Sequence, residues 1–180
     1  MKYLIFLLLL ITPVNAFGNE DDIYEAGSKD LLLFLKAIPP GQEDLYGFDS
    51  RHDFAEAVLG GPIPVLTIDQ DNNYSLTEVN EWRLPVLLNS KPVAFLTVSK
   101  MNDQWQAVEI GASGLAREIS GIQDVQAILR LYSLKSDFVM LSQERFLPLQ
   151  STSIHLKKSM SGMIQYYTLN DIVDLVKGSK

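Results

Sequence analysis

Hydrophobic positions crowd the start of the chain and then spread into short periodic runs. MKYLIFLLLLITPVNA holds one cation, Lys2, an apolar run from Tyr3 to Ile11, the helix breaker Pro13 and the small-x-small triplet Val14-Asn15-Ala16. That run is far shorter than the roughly 20 residues that span a bilayer, and the triplet suits a signal peptidase. The pattern predicts a secretory signal peptide over residues 1–16. Residues 17–27 are acidic and lack a period, which predicts a flexible N-terminal arm before a single domain over residues 28–180.

Within that domain the period changes twice. SKDLLLFLKAI, opened by Ser28 and stopped by Pro39-Pro40-Gly41, predicts a short buried helix. Ser50 and Asp53 have capping-box spacing, and Phe54, Ala57 and Val58 share a helical face that ends at Gly60-Gly61, so a second helix is expected. Then come IPVLTI, LPVLLN, PVAFLTVSK and QWQAVEIG, each short, rich in β-branched or aromatic residues and bounded by turn formers. Asn89-Ser90-Lys91 and Met101-Asn102-Asp103 are tight enough for hairpins, so these runs predict an antiparallel meander. PVAFLTV is apolar on both faces and belongs inside the sheet.

After the meander, GLAREIS and IQDVQAILRLYSL carry apolar residues at helical spacing, including Ile122, Val125, Ile128, Leu129 and Tyr132. They predict two helices, or one broken helix, over the sheet. DFVMLS, FLPL, SIHLK and MIQYYTL predict a second β region. A final helix is marked by the capping-box pair Thr168 and Asp171 and by the stripe Ile172, Val173, Leu175 and Val176, with Gly178 at its stop.

Composition narrows the classes. Without the leader about 160 residues remain, enough for one domain that buries about 70% of its unfolded surface. The chain has no cysteine, which excludes a disulfide framework, a cysteine metal cluster and lipidation through a thiol. Its formal charge of −7 falls by one more when Lys2 leaves with the leader. An acidic chain without a Lys/Arg stripe repels phosphate backbones, so nucleic acid is not an expected partner and no membrane span remains after cleavage.

Three sets of residues carry candidate chemistry. DQDNNYSLTEVN, Asp69 to Asn80, resembles an EF-hand calcium loop, offering oxygen from Asp69, Asp71, Asn73, Ser75 and Thr77. Its position 6 is Tyr74 instead of glycine, its position 12 is Asn80 instead of a bidentate glutamate, and the element entering it contains Pro64, so it reads first as a polar turn between strands, with calcium binding as the alternative. The two histidines are the second set: His52 falls in the first turn of a predicted helix, and His155 shares a predicted strand face with Ser153, as a hydrolase pair would. No GxSxG, HExxH or phosphate-loop pattern accompanies them. GASGLA, Gly111 to Ala116, reads as a strand-to-helix turn with Ser113 as N-cap. The third set is aromatic: Trp82, Trp105, Tyr166 and Tyr167, the adjacent tyrosines pointing to opposite faces so that one is exposed.

The fold class is therefore α+β, a single domain with an antiparallel meander packed against helices. In architecture, helices leading into the segment WRLPVLLNSKPVAFLTVSKMNDQWQAVEIG resemble the cystatin-like and NTF2-like folds and small exported propeptide or inhibitor domains. That resemblance implies a shape more than an activity. The leading functional expectation is a non-enzymatic exported binding or interaction module, periplasmic or secreted, with a protein partner. A hydrolase using His155 with Ser153 or a nearby acid, and a domain stabilised by calcium through the Asp69–Asn80 loop, stand as alternatives.

Overall fold

The computed structural model describes residues 19–150 and 166–179. They form one α+β domain around an eight-stranded, mostly antiparallel sheet. The strands are β1 (Val58–Leu59), β2 (Ile63–Asp69), β3 (Ser75–Leu88), β4 (Lys91–Met101), β5 (Gln104–Gly111), β6 (Ala127–Leu131), β7 (Ser136–Ser142) and β8 (Arg145–Pro148). Their order is β5-β4-β3-β2-β6-β7-β8, with β1 pairing on β3. Three α-helices accompany them: α1 (Glu20–Ala37), α2 (Ser113–Ile119) and α3 (Leu169–Gly178).

The meander follows its turns. Asn89-Ser90 and Asn102-Asp103 have φ between 50° and 62°, the paired left-handed conformation that matches the twist of a two-residue hairpin. β4 lies between β3 and β5, and Ala94 through Val98 are all buried, as a strand apolar on both faces requires. β2 and β6 form the parallel pair, Val65 opposite Ile128 and Leu66 opposite Leu129.

Four expectations give way to tertiary packing. α1 begins at Glu20, so most of the stretch read as a flexible arm is helix. Asn19 caps it by accepting from the Asp21 amide, Glu20, Asp21 and Asp22 complement the positive end of the helix dipole, and Ile23 and Gly27 continue the buried stripe of Leu31 and Leu35 one and two turns earlier. Gly27 is there because a Cβ would sit 2.7 Å from a Leu84 methyl, where helix and sheet approach closest. The second predicted helix is only a 3₁₀ turn, Arg51–Ala55; its Ser50–Asp53 capping box is present, but Val58 and Leu59 leave it to pair with β3.

The other two corrections lie after the meander. Ser113 is not an N-cap: Ala112 occupies that position at φ 55°, and the Ser113 hydroxyl donates to the Leu45 carbonyl. The helix expected across IQDVQAILRLYSL is replaced by β6 and a short 3₁₀ turn, Tyr132–Leu134. Asp124 at φ 58° interrupts any helix, and Ala127, Ile128, Leu129 and Leu131 are buried on both faces of a central strand. A short run that is apolar all round fits either element by period, and neighbouring strands decide.

Two helices cover one face of the sheet. α1 packs over β3, β4 and β5 on a core of Trp82, Leu84, Leu96 and Val98, and α3 packs Ile172 and Val176 against Leu66, Leu129 and Phe138. On the opposite face α2 sets Ala116 and Ile119 on Phe95, Ile128 and Val139. Near the β8 edge Phe146 bridges Tyr167, which is buried, while Tyr166 is exposed with Arg145 over its ring, so the tyrosines do point apart. SIHLK and all of MIQYYTL before Tyr166, with Ser153 and His155, lie outside the described residues. So does the proposed leader. No described helix is long and apolar enough to cross a membrane.

Candidate functional site

The loop from Asp69 to Asn80 is a hairpin turn that runs directly into β3. Asp69 pairs with Ser75 and Thr67 with Thr77, so Ser75 and Thr77 are ladder residues, while Asp71 and Asn73 stand exposed in the turn. One Asp69 carboxylate oxygen accepts from the Asp71 and Asn72 amides, the usual local use of aspartate in a turn. Asn73 and Tyr74 both adopt left-handed backbone, φ 52° and 56°. For tyrosine that costs about 1–2 kcal/mol, offset by packing of its ring on the α3 core and by Lys177 Nζ 4.8 Å from its centroid. Among the described residues no three His, Cys, Asp or Glu side chains are grouped to hold a metal ion. His52 is exposed in the 3₁₀ turn.

The sheet itself presents two polar places, one on each face. On the α2 face polar side chains form a row in two runs: Glu109, Thr97 and Arg83 in register on β5, β4 and β3, then Arg130 and Asp137 paired on β6 and β7, with the Thr67 hydroxyl of β2 donating to the Arg130 carbonyl. Arg83 is nearly buried and donates to the Thr97 hydroxyl. Its other terminal nitrogen lies 2.8 Å from Glu81 Oε1 at an angle that makes an ion pair rather than a hydrogen bond, and Glu109 is 3.9 Å away. Arg130 Nε donates to Asp137 at 3.0 Å, and its Nη1 is 3.9 Å from Glu81. Burial disfavours the charge on Arg130, but the Asp137 hydrogen bond and the fields of Asp137 and Glu81 outweigh it and raise its pKa. Opposite charges thus alternate across the row and largely satisfy one another. A cavity of about 400 Å³ opens beside Arg130 and Asp137 under α2.

The other face holds a larger opening between α1 and α3. Two clefts, of about 960 and 980 Å³, share Leu66, Met140 and Gln143 and so form one trough. Leu66 and Met140 make an apolar floor on β2 and β7. At one end stand Asn19, Glu20 and Asp21 at the start of α1, with Trp82 below them. At the other stand Thr77 and Glu78 of β3, Glu144 in the β7–β8 turn, and Thr168, Leu169 and Asn170 at the start of α3.

A break in β3 shapes this trough. Between the pairs Leu66–Glu78 and Pro64–Trp82, three residues of β3 oppose one of β2, and Asn80 takes φ 54° to accommodate them. The bulge keeps Glu78 and Trp82 on the trough face while releasing Ser75–Asn80 from β4, which pairs with β3 only from Glu81 onward. The trough therefore ends at a length of β3 flanked by β2 alone among the described strands.

Buried polar atoms without a hydrogen-bond partner occur on both faces, Glu81 Oε1 and Arg83 Nε in the row, where ion pairs compensate, and two more in the trough. Trp82 is 1% exposed, yet its Nε1–H meets no acceptor, and Glu78 Oε1 is buried without a donor. A buried polar atom left so costs about 1–3 kcal/mol. Burial raises the Glu78 pKa above its ordinary value. The helix starts, by contrast, are already occupied. The Asp171 carboxylate accepts from the Thr168 hydroxyl at 2.7 Å and from the Thr168 amide at 2.8 Å, bonds that hold its pKa low. Of the residues singled out in the sequence, Thr77 and Trp82 reach the trough. Glu78, Gln143 and Met140 gave no signal, because each is ordinary within its own strand or turn.

This geometry defines an α+β protein with an open trough between two helices on one sheet face. No family model, curated protein or solved structure matches the chain.

Proposed function

We propose that the protein is an exported, non-enzymatic binding module whose ligand lies in the trough between α1 and α3. The observation that carries this reading is the trough itself, two clefts that share an apolar floor of Leu66 and Met140 and are bordered by Glu78, Gln143 and the starts of both helices. Each cleft is at the upper end of the size range of small-ligand sites, and an apolar floor with a few polar groups is their usual composition. The described lining contains no histidine, lysine or arginine, so it offers carboxylates and amides but no ready base for a nucleophile. Export is supported by the leader pattern of residues 1–16.

The Trp82 indole N–H gives one resolved proton resonance, which makes the test direct. Fragments screened by nuclear magnetic resonance should shift the Trp82 indole signal together with the amides of Leu66 and Met140. Binders that move only residues of the α2 face would sink the proposal. Fusing residues 1–16 to a reporter enzyme that is active only outside the cytoplasm tests export separately.

A further inference from the structure

The turn between β2 and β3 holds chemistry that the trough does not use. Asn73-Tyr74-Ser75 is the one Asn-x-Ser/Thr triplet in the chain, and Asp71 stands two residues before its asparagine. Such a triplet accepts asparagine-linked glycans in proteins that leave the cytoplasm, provided its middle residue is not proline and its asparagine lies on a surface loop. Tyr74 meets the first condition, and the fold meets the second.

Asp69 and Ser75 form the last pair of the β2–β3 ladder, so Asn73 stands beyond the sheet, exposed in the hairpin turn. Left-handed backbone at Asn73 and Tyr74 bends the chain there, as a transferase needs to bind the asparagine amide and the serine hydroxyl together. Tyr74 packs its ring on the α3 core with Lys177 over it, and so holds its bulk away from the solvent side of the turn. Asp71, also exposed, adds the acidic side chain that transferases of the bacterial type recognise before the acceptor. We propose that Asn73 is an N-glycosylation site, modified during export from an oligosaccharide carried on a polyprenyl diphosphate. Nδ2 of Asn73 attacks the anomeric carbon of the sugar. The new C–N bond replaces the C–O bond to phosphate, the polyprenyl diphosphate leaves with that electron pair, and one amide proton passes to a base of the transferase. The inference rests on export and is independent of what the trough binds.

The full chain is expressed in two hosts: through the secretory pathway of a eukaryotic cell, and in the periplasm of a bacterium supplied with an asparagine-linked transferase and its polyprenyl-linked oligosaccharide. Intact-mass spectrometry of the exported chain should find one glycan in each host, mapped to Asn73 by peptide fragmentation and removed by a peptide N-glycosidase. Asn73→Gln and Ser75→Ala should each lose it, whereas Ser75→Thr and the neighbouring Asn72→Gln should keep it. Asp71→Asn should lose it in the bacterial host alone. An exported chain, freed of residues 1–16, that carries no glycan in either host would overturn the site and leave export standing. A glycan that survives Asn73→Gln would overturn the assignment to this turn. Retention of the uncleaved chain in the cytoplasm of both hosts would overturn export and the site together.

Discussion

The two faces of this sheet handle charge in opposite ways. On the α2 face Arg83, Glu81, Arg130 and Asp137 are drawn into the interior as alternating charges linked by ion pairs, although Arg83 Nε and Glu81 Oε1 make no hydrogen bond. On the face between α1 and α3, Trp82 and Glu78 sit over an apolar floor with bonding capacity unused. Both faces are built from the same strands, and Trp82 and Arg83 are consecutive residues of β3 that point to opposite sides. Burial alone therefore does not mark a binding site. What separates the two faces is that the unmatched atoms of the row lie within ion pairs, whereas Trp82 and Glu78 have none among the described residues and line an open trough.

The sharpest way to break the contrast is to remove the cation of the ion-paired row. Arg83→Met should cost about 3 kcal/mol in urea unfolding, because Glu81 and Glu109 lose the charge they face in a nearly buried site. A cost below about 1 kcal/mol would mean that water screens the row. Next in size, Glu81→Gln keeps the shape but removes the negative charge between Arg83 and Arg130, and should cost about 1.5 kcal/mol in the same measurement. The two substitutions should be less than additive, since they share an ion pair.

The trough face should respond with the other sign. Burial raises the Glu78 pKa, so between 4.5, its ordinary value, and that raised value the folded chain holds a proton the unfolded chain has released. Stability contributed by the protonated form is present below pH 4.5 and is lost as pH rises through the raised value. Glu78→Gln should then melt slightly higher than the parent at pH 7, by about 1–2 °C, with the difference vanishing on acidification. A lower melting temperature at pH 7 would show Glu78 to be satisfied after all. The smallest effect belongs to the turn: the melting temperature should be the same in excess EDTA and in millimolar calcium, while Asp69→Ala costs about 0.5–1 kcal/mol in either through its two amide bonds. A calcium-dependent rise of several degrees, abolished by Asp71→Ala, would make the turn a metal loop.

Much of the fold was legible because its signals are local. The hairpins at Asn89-Ser90 and Asn102-Asp103, the capping boxes at Ser50–Asp53 and Thr168–Asp171, and the doubly apolar β4 each depend on residues a few positions apart. Where the reading failed, the deciding contact was distant. Ile23 and Gly27 join α1 only because Leu59, Leu84 and Leu96 receive them, and Ile128 and Leu129 enter a strand because β2 and β7 flank them. Glu78 and Met140 were invisible as site residues for the same reason.

The sequence by itself determined the α+β class, the acidic charge, the absence of cysteine, and the positions of turns and caps, since short-range sterics and hydrogen bonds specify these wherever the segment ends up. Tertiary structure alone decided which polar groups find partners. Arg83 and Arg130 reach Thr97 and Asp137 on other strands, while Arg83 Nε and Trp82 Nε1 find no partner. Whether a buried donor is satisfied is a property of the whole packed interior, and only the assembled sheet reveals the trough between α1 and α3.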